Sequence, residues 1–379
     1  MTEESFVREL ERRADQAFDG AHGAPLTFES VRSKAHGIRR RRRAAAAGAV
    51  AAAVAVAILV PTVLTGGSPR SQGPDPAPAP PAAPGVSVLH DGVLTRPDGD
   101  TVSVDVANAD VSQLGVLTDG RIVMALQQPY AVRVYAADGT VQATYPAGAN
   151  IITMSALDDA VAWVAKDLTV RVLASGSAEP RTLPGIPMPG EAAGGIDAVL
   201  DAEHLLVGDH TTTTEVLTPG GTEPLTTSEP FRVIDVSPDG DLWAVTFIPT
   251  TDNEMYGCEG LYDPEAGRMV ARSCDVSGLQ FSPDGQHVLS LRGDNNMFGE
   301  GTILDLDLQP VGSFESTGKG DVISRAGWAD ATHVLVAEAN WKTNTWSVVR
   351  VGLGWDDPQV VVPQGPGINP ESAAYLFSG

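Results

Sequence analysis

Seven short stretches constrain what this chain can fold into: "DGRIVMAL" from Asp119, "DDAVAWVA" from Asp158, "DAEHLLVG" from Asp201, "DGDLWAVT" from Asp239, "DGQHVLSL" from Asp284, "DATHVLVA" from Asp330 and "ESAAYLFS" from Glu371. Each opens on an acidic turn residue and runs into a short apolar strand. Successive starts lie 39, 43, 38, 45, 46 and 41 residues apart. A unit of about 40 residues with several short strands cannot bury its apolar faces alone, so the units must stack in a closed ring of blades. Two turns are chemically complete. In "VSPDGDLWAVTF" and "FSPDGQHVLSL", Ser, Pro, Asp and Gly occupy the four positions of a type I turn between two antiparallel strands. Between such turns lie second hairpins, "VRVYAADGTVQATY" and "GLYDPEAGRMVARS", which supply a third and fourth strand. The seventh unit stops at Gly379 with room only for inner strands, and "VLTRPDGDTVSVDV" (93–106) has the form of the missing hairpin. The expectation is an all-β, seven-bladed β-propeller over 86–379 whose last blade is closed by both ends of the domain, with six or eight blades as alternatives.

The "SPDG" turns resemble those of TolB-like and WD-repeat-like propellers over roughly 86–379. The Trp-Asp dipeptide that ends standard WD repeats is missing from its place in each unit. A sialidase Asp-box fails too, because Gly240 follows Asp239 directly.

"GIRRRRRAAAAGAVAAAVAVAILVPTVLTGGS" (37–68) decides where that domain works. Ala44 to Leu64 carries no charge and is about long enough to span a ~30 Å hydrocarbon core as a helix. A cleaved signal has a short leading region, whereas 43 residues precede this run and no clear cleavage site follows it. A twin-arginine signal lacks its usual hydrophobic residues after the pair. Arg39–Arg43 on one side against Arg70 on the other place the N-terminus inside. The predicted layout is a cytoplasmic basic segment with a short amphipathic helix (1–43), a transmembrane helix (44–65), a Pro-rich linker (66–85) and an extracytoplasmic propeller (86–379). This layout resembles actinobacterial single-pass membrane proteins associated with sigma-factor regulation. Phe6, Leu10, Ala14, Ala17 and Phe18 share one helix face, which suits either the inner membrane surface or a cytoplasmic partner docking on residues 1–20. The resemblance implies that such a partner is a sigma factor. No Cys lies in 1–43, so a zinc-type anti-sigma domain is not expected there.

Beyond residue 65 the chain holds 15 basic and 41 acidic groups, which speaks against nucleic acid as a partner. No HExxH, paired CxxC, GxSxG or phosphate loop occurs, so no catalytic residue, metal ligand or cofactor is assigned. His204, His287 and His333 share one slot before the apolar strand, and a repeated slot suits a structural role. Cys258 and Cys274 flank the "DPEAGR" turn nearly opposite each other, and outside the membrane such a pair is expected to form a disulfide.

The units from Asp239 and Asp284 are the longest, and their extra length follows the apolar strand: "IPTTDNEMYG" and "RGDNNMFGEG", with "EANWKTNTW" in the same place next. Loops from three neighbouring blades are expected to raise a wall carrying Asp252, Asn253, Tyr256, Asp294, Asn295, Asn296, Phe298, Asn340, Trp341, Asn344 and Trp346. Aromatic faces beside amides and carboxylates suit an envelope protein, a peptide or a glycan. The function expected is a non-enzymatic binding or sensing module of the cell envelope. The alternative is an extracytoplasmic propeller hydrolase or lyase, since catalytic groups on this fold can be scattered on loops.

Overall fold

An apolar run such as Ile122–Leu126, buried at all five positions, cannot serve a sheet with one wet face. It needs protein on both sides, and a ring of stacked sheets supplies it. A computed structural model of the chain describes residues 86–186, 195–208, 212–227, 229–247, 257–294, 297–316, 321–340, 342–354, 358–366 and 376–377. The segments 1–43, 44–65 and 66–85 lie outside them. Among the described residues no helix is long and apolar enough to cross a membrane.

The described strands make seven four-stranded blades. Three come first: β1 (Val88–His90), β2 (Val93–Thr95) and β3 (Thr101–Ser103). Blade 1 is β4 (Val111–Val116), β5 (Ile122–Leu126), β6 (Ala131–Tyr135) and β7 (Val141–Pro146). Blade 2 is β8 (Thr153–Met154), β9 (Ala160–Val164), β10 (Thr169–Ala174) and β11 (Arg181–Gly185). Blade 3 is β12 (Gly195–Val199), β13 (Leu205–Gly208), β14 (Thr213–Thr218) and β15 (Gly221–Pro224). Blade 4 is β16 (Arg232–Val236), β17 (Trp243–Phe247), β18 (Cys258–Asp263) and β19 (Arg268–Ser273). Blade 5 is β20 (Gln280–Phe281), β21 (Val288–Asp294), β22 (Met297–Leu304) and β23 (Pro310–Glu315). Blade 6 is β24 (Asp321–Asp330), β25 (His333–Asn340), β26 (Thr345–Gly352) and β27 (Gln359–Pro366). Blade 7 joins β28 (Leu376–Phe377) to β1, β2 and β3, in that order. Phe298 pairs with Ile323, which links blades 5 and 6 into one sheet.

First strands of neighbouring blades touch one another, β28 with β4, β8 with β12, β12 with β16 and β16 with β20, and so form the inner ring. Apolar clusters fill the gaps between blades; Val123, Val132, Val161 and Trp163 belong to the one between blades 1 and 2. Fourth strands are the wet outer edges, as the alternation along β19 shows. Pro146, Pro184, Pro224, Pro310 and Pro363 sit on five of them, where a missing N–H blunts an edge open to further pairing.

Both ends of the domain close the ring, but not as two hairpins. Val88 pairs with Phe377 and Leu89 with Leu376, so the seventh apolar stretch supplies the first strand of blade 7 rather than the second. The second is β1, which lies upstream of the 93–106 hairpin; that hairpin is β2 and β3 as expected. The extra length of the blade 5 unit also takes an unexpected form. It lengthens β21 and β22, which stay paired out to Asp294 and Met297, instead of making a long loop. Cys258 and Cys274 are bonded across the β18–β19 edge, with Cα atoms 4.2 Å apart.

Candidate functional site

Antiparallel strands fix which loops share a face. Turns from first to second strand lie on one face. Loops from second to third strand, and connections from the fourth strand to the next blade, lie on the other. The three predicted wall segments are second-to-third loops of blades 4, 5 and 6, and so emerge on one face. Asp252, Asn253, Tyr256, Asn295, Asn296 and Trp341 lie outside the described residues. Asp294 and Phe298 are on β21 and β22, flanking their turn. Asn340 ends β25, and its Oδ1 accepts from the N–H groups of Lys342 (3.0 Å) and Thr343 (3.1 Å). Asn344 is exposed, with φ 53° in that turn.

Trp346 is not on the wall. It is 7% exposed and belongs to the core between blades 6 and 7. The ladder runs on to Asn340–Thr345, so strand alternation continues through this residue and turns its ring inward. There the ring lies against Gly365 on β27 and meets His90 edge-on at 4.7 Å between centroids.

The same face carries a half-open cavity of about 800 Å³ between blades 7 and 1. Its lining includes Asp91 and Gly92 from the β1–β2 turn, Asp105 and Asn108 from the β3–β4 connection, and Gln128 and Arg133 from blade 1. Arg133 Nη1 donates to the Asp105 carbonyl (3.2 Å) and to the Tyr135 hydroxyl (3.4 Å), while its buried Nε takes no hydrogen bond. No sequence signal singled out this cavity: its polar groups come from three separate short loops, each ordinary by itself.

The polar groups of the opposite face serve the turns. Ser237 Oγ donates to Asp239 (2.7 Å) and accepts from Leu242 N–H (2.9 Å); Ser282 does the same for Asp284 (2.7 Å) and His287 (3.0 Å). His204 and His333 hold the carboxylates of Asp201 and Asp330 through Nδ1, each at 3.0 Å. The shared histidine slot is therefore a turn clasp in two units, while His287 Nδ1 is buried without a hydrogen bond. Burial would raise the Asp119 carboxyl, yet the guanidinium of Arg121 and the N–H groups of Gly176 and Arg121 hold it at about 2.

Buried carboxylates tie neighbouring blades together. Glu259 Oε1 and Oε2 accept from the N–H groups of Gly278 (2.9 Å) and Leu279 (3.0 Å), and burial pushes its pKa up. Asp235, on β16, accepts from Phe281 N–H of β20 at 2.7 Å and from Val236 N–H at 2.8 Å. Burial outweighs these bonds and pushes its pKa to about 6. Asp197 is buried between Arg232 Nε (3.0 Å) and Thr213 Oγ1 (2.7 Å). Each of these groups is consumed by a blade-to-blade bond. Among the described residues no group of three His, Cys, Asp or Glu is placed to hold a metal ion.

No family model matches the chain, and no curated protein matches it. Among solved structures it is similar to dihydro-heme d1 dehydrogenase NirN in complex with DHE, at 14% identity and a TM-score of 0.46. That match covers 74% of this chain and 64% of that one, so it spans less than two thirds of the other protein. No ligand or activity is carried over from it.

Proposed function

We propose that this chain is a membrane-anchored β-propeller that binds a partner outside the cytoplasm without catalysing a reaction. Residues 44–65 span the bilayer with the N-terminus inside, residues 66–85 act as the stalk, and residues 1–20 present a helix to a cytoplasmic protein such as a sigma factor. What supports the reading is that the strands flanking the wall segments of blades 4 to 6 end on the same face of the ring as the cavity between blades 7 and 1. A protein or peptide seated there would meet Tyr256 and Trp341 as aromatic anchors, with Asp252, Asn253, Asn340 and Asn344 beside them.

The hydrolase or lyase reading needs a carboxylate with a shifted pKa that is free to act. Asp235 has the shift, but its oxygens accept the N–H groups of Phe281 on the next blade and of Val236 beside it, which favours the binding reading. Asp158, raised to about 6 by burial and by Asp159, sits in the first-to-second turn of blade 2, on the face opposite the wall and the cavity.

Two measurements test this. A phosphatase that works only outside the cytoplasm is expected to be active when fused after Gly379 and inactive when fused before Thr2. In the producing cell's own membranes, a photo-cross-linking residue at position 341 is expected to capture one specific protein, and Tyr256→Ala is expected to abolish that adduct. The reverse fusion pattern overturns the topology, and an adduct indifferent to Tyr256→Ala overturns the binding face.

A further inference from the structure

Among the described residues the guanidinium of Arg325 is paired with no carboxylate. Arg325 lies on β24, the first strand of blade 6, at a bulge where Ile323 faces Glu338 and Arg325 faces Ala337. Its side chain is partly buried and, among the described residues, takes no hydrogen bond or ion pair. Burial lowers its pKa with no neighbouring charge to offset it. Other arginines here are treated differently: Arg121 pairs with Asp119, Arg232 with Asp197 and Arg350 with Asp330. Carboxylates are not scarce, with 41 acidic groups against 15 basic ones beyond residue 65. An unpaired charge half withdrawn from water is costly, and a structural role would have called for a partner or an apolar side chain.

Its place in the fold says what could complete it. Ala337, opposite Arg325, belongs to the core between blades 6 and 7, so the arginine leaves the sheet on the side of blade 7. First strands ring the axis, and the first strand of blade 7 is the short β28. Ser324 beside it is exposed, and its Oγ donates to the Ala337 carbonyl at 3.1 Å.

We propose that Arg325 is the anion-recognising group of a binding site on the inner strand of blade 6, on its blade 7 side, for a ligand that carries a carboxylate or phosphate group. A planar guanidinium offers two parallel donors to either group, and partial burial strengthens the pair. The acidic surroundings repel polyanions, so the ligand that fits carries one anionic head on an otherwise neutral or cationic body. This site lies on the inner strand of blade 6, whose upstream end reaches the wall where Ile323 pairs with Phe298 and Asp321 with Asn340.

The test is equilibrium dialysis of the full-length chain in detergent with radiolabelled inorganic phosphate and with acetate, at constant ionic strength in chloride. Saturable binding of at least one of the two, at one site per chain, is expected, and Arg325→Met and Arg325→Gln each weaken it about tenfold or more. Without added anion, Arg325→Met is expected to melt at or above the wild-type temperature, because it removes an unpaired charge and keeps the apolar stem. Saturable binding of neither anion, binding retained by both variants, or a lower melting temperature for Arg325→Met overturns the assignment.

Discussion

Where an aromatic ring lies flat on a glycine, a single hydrogen decides whether two strands keep their register. Gly301 on β22 pairs with Phe314 on β23, and a Cβ at that position would run into the phenyl ring. Trp346 and Gly365 repeat the device between β26 and β27, where the added Cβ would stand 2.9 Å from Trp346 Cζ2. Gly115 also lacks room, but what fills its space is the thioether end of Met154, which can swing away. Gly301→Ala is therefore expected to cost about 1–3 kcal/mol in urea unfolding, and Gly115→Ala clearly less. The carboxylates set an acid-side stability optimum. Asp235, raised to about 6, favours the folded state fully below its ordinary value near 3.8, and this contribution is lost as pH rises through 6. Asp119, held at about 2, contributes stability above 3.8 that is lost as pH falls through 2. The melting temperature is expected to peak between about pH 4 and 6, and Asp235→Asn to flatten its fall from pH 5 to 7.5. An optimum at or above neutral pH, unchanged in the variant, would refute this. Little of this layer was legible beforehand. Asp, Ser and Gly announce turns by local chemistry, but Trp346 is core because a partner strand continues the ladder past it, and no neighbouring residue in the sequence encodes that.

At the level of elements, the second strands and their turns were the most legible. An acidic turn followed by a continuous apolar run can only be buried on both faces, and β5, β9, β13, β17, β21 and β25 all start a few residues after the expected aspartate. What escaped notice was β1, whose three residues carry too little pattern to stand out, and which is a strand only because β28 and β2 pair with it. The β18–β19 edge shows another kind of legibility. It lacks the proline found on most outer strands, and Arg268, Arg272 and the Cys258–Cys274 bond guard it instead. The bond closes a span of 16 residues, which the chain-entropy account rates at about 3 kcal/mol. Cys258→Ala with Cys274→Ser is expected to lose stability of that order. Reduction of the wild type should reproduce the loss, and reduction of the double variant should add nothing to it.

At the scale of the whole molecule, seven blades were legible from the repeat interval, because the period sets how many equal units must share one ring. The candidate site was less so: the cavity between blades 7 and 1 and the unpaired Arg325 arise from blades brought together only by closure. Deleting 374–379 removes β28 and exposes β1 and β4 along their inner edges. Such a chain is expected to lose its single cooperative unfolding transition and to aggregate, whereas a deletion confined to 378–379 should leave melting unchanged. The closure has a mechanical side as well. β1 begins at Val88, three residues after residue 85, and is stitched to β28 by two residue pairs. A pull from the N-terminal side therefore loads that short stitch before any other part of the domain. The ring yields first at its seam, at low force, while the four-stranded sheets of blades 1 to 6 remain intact; under tension the molecule lengthens in a small early step set by β1 to β3, well before the rest gives way.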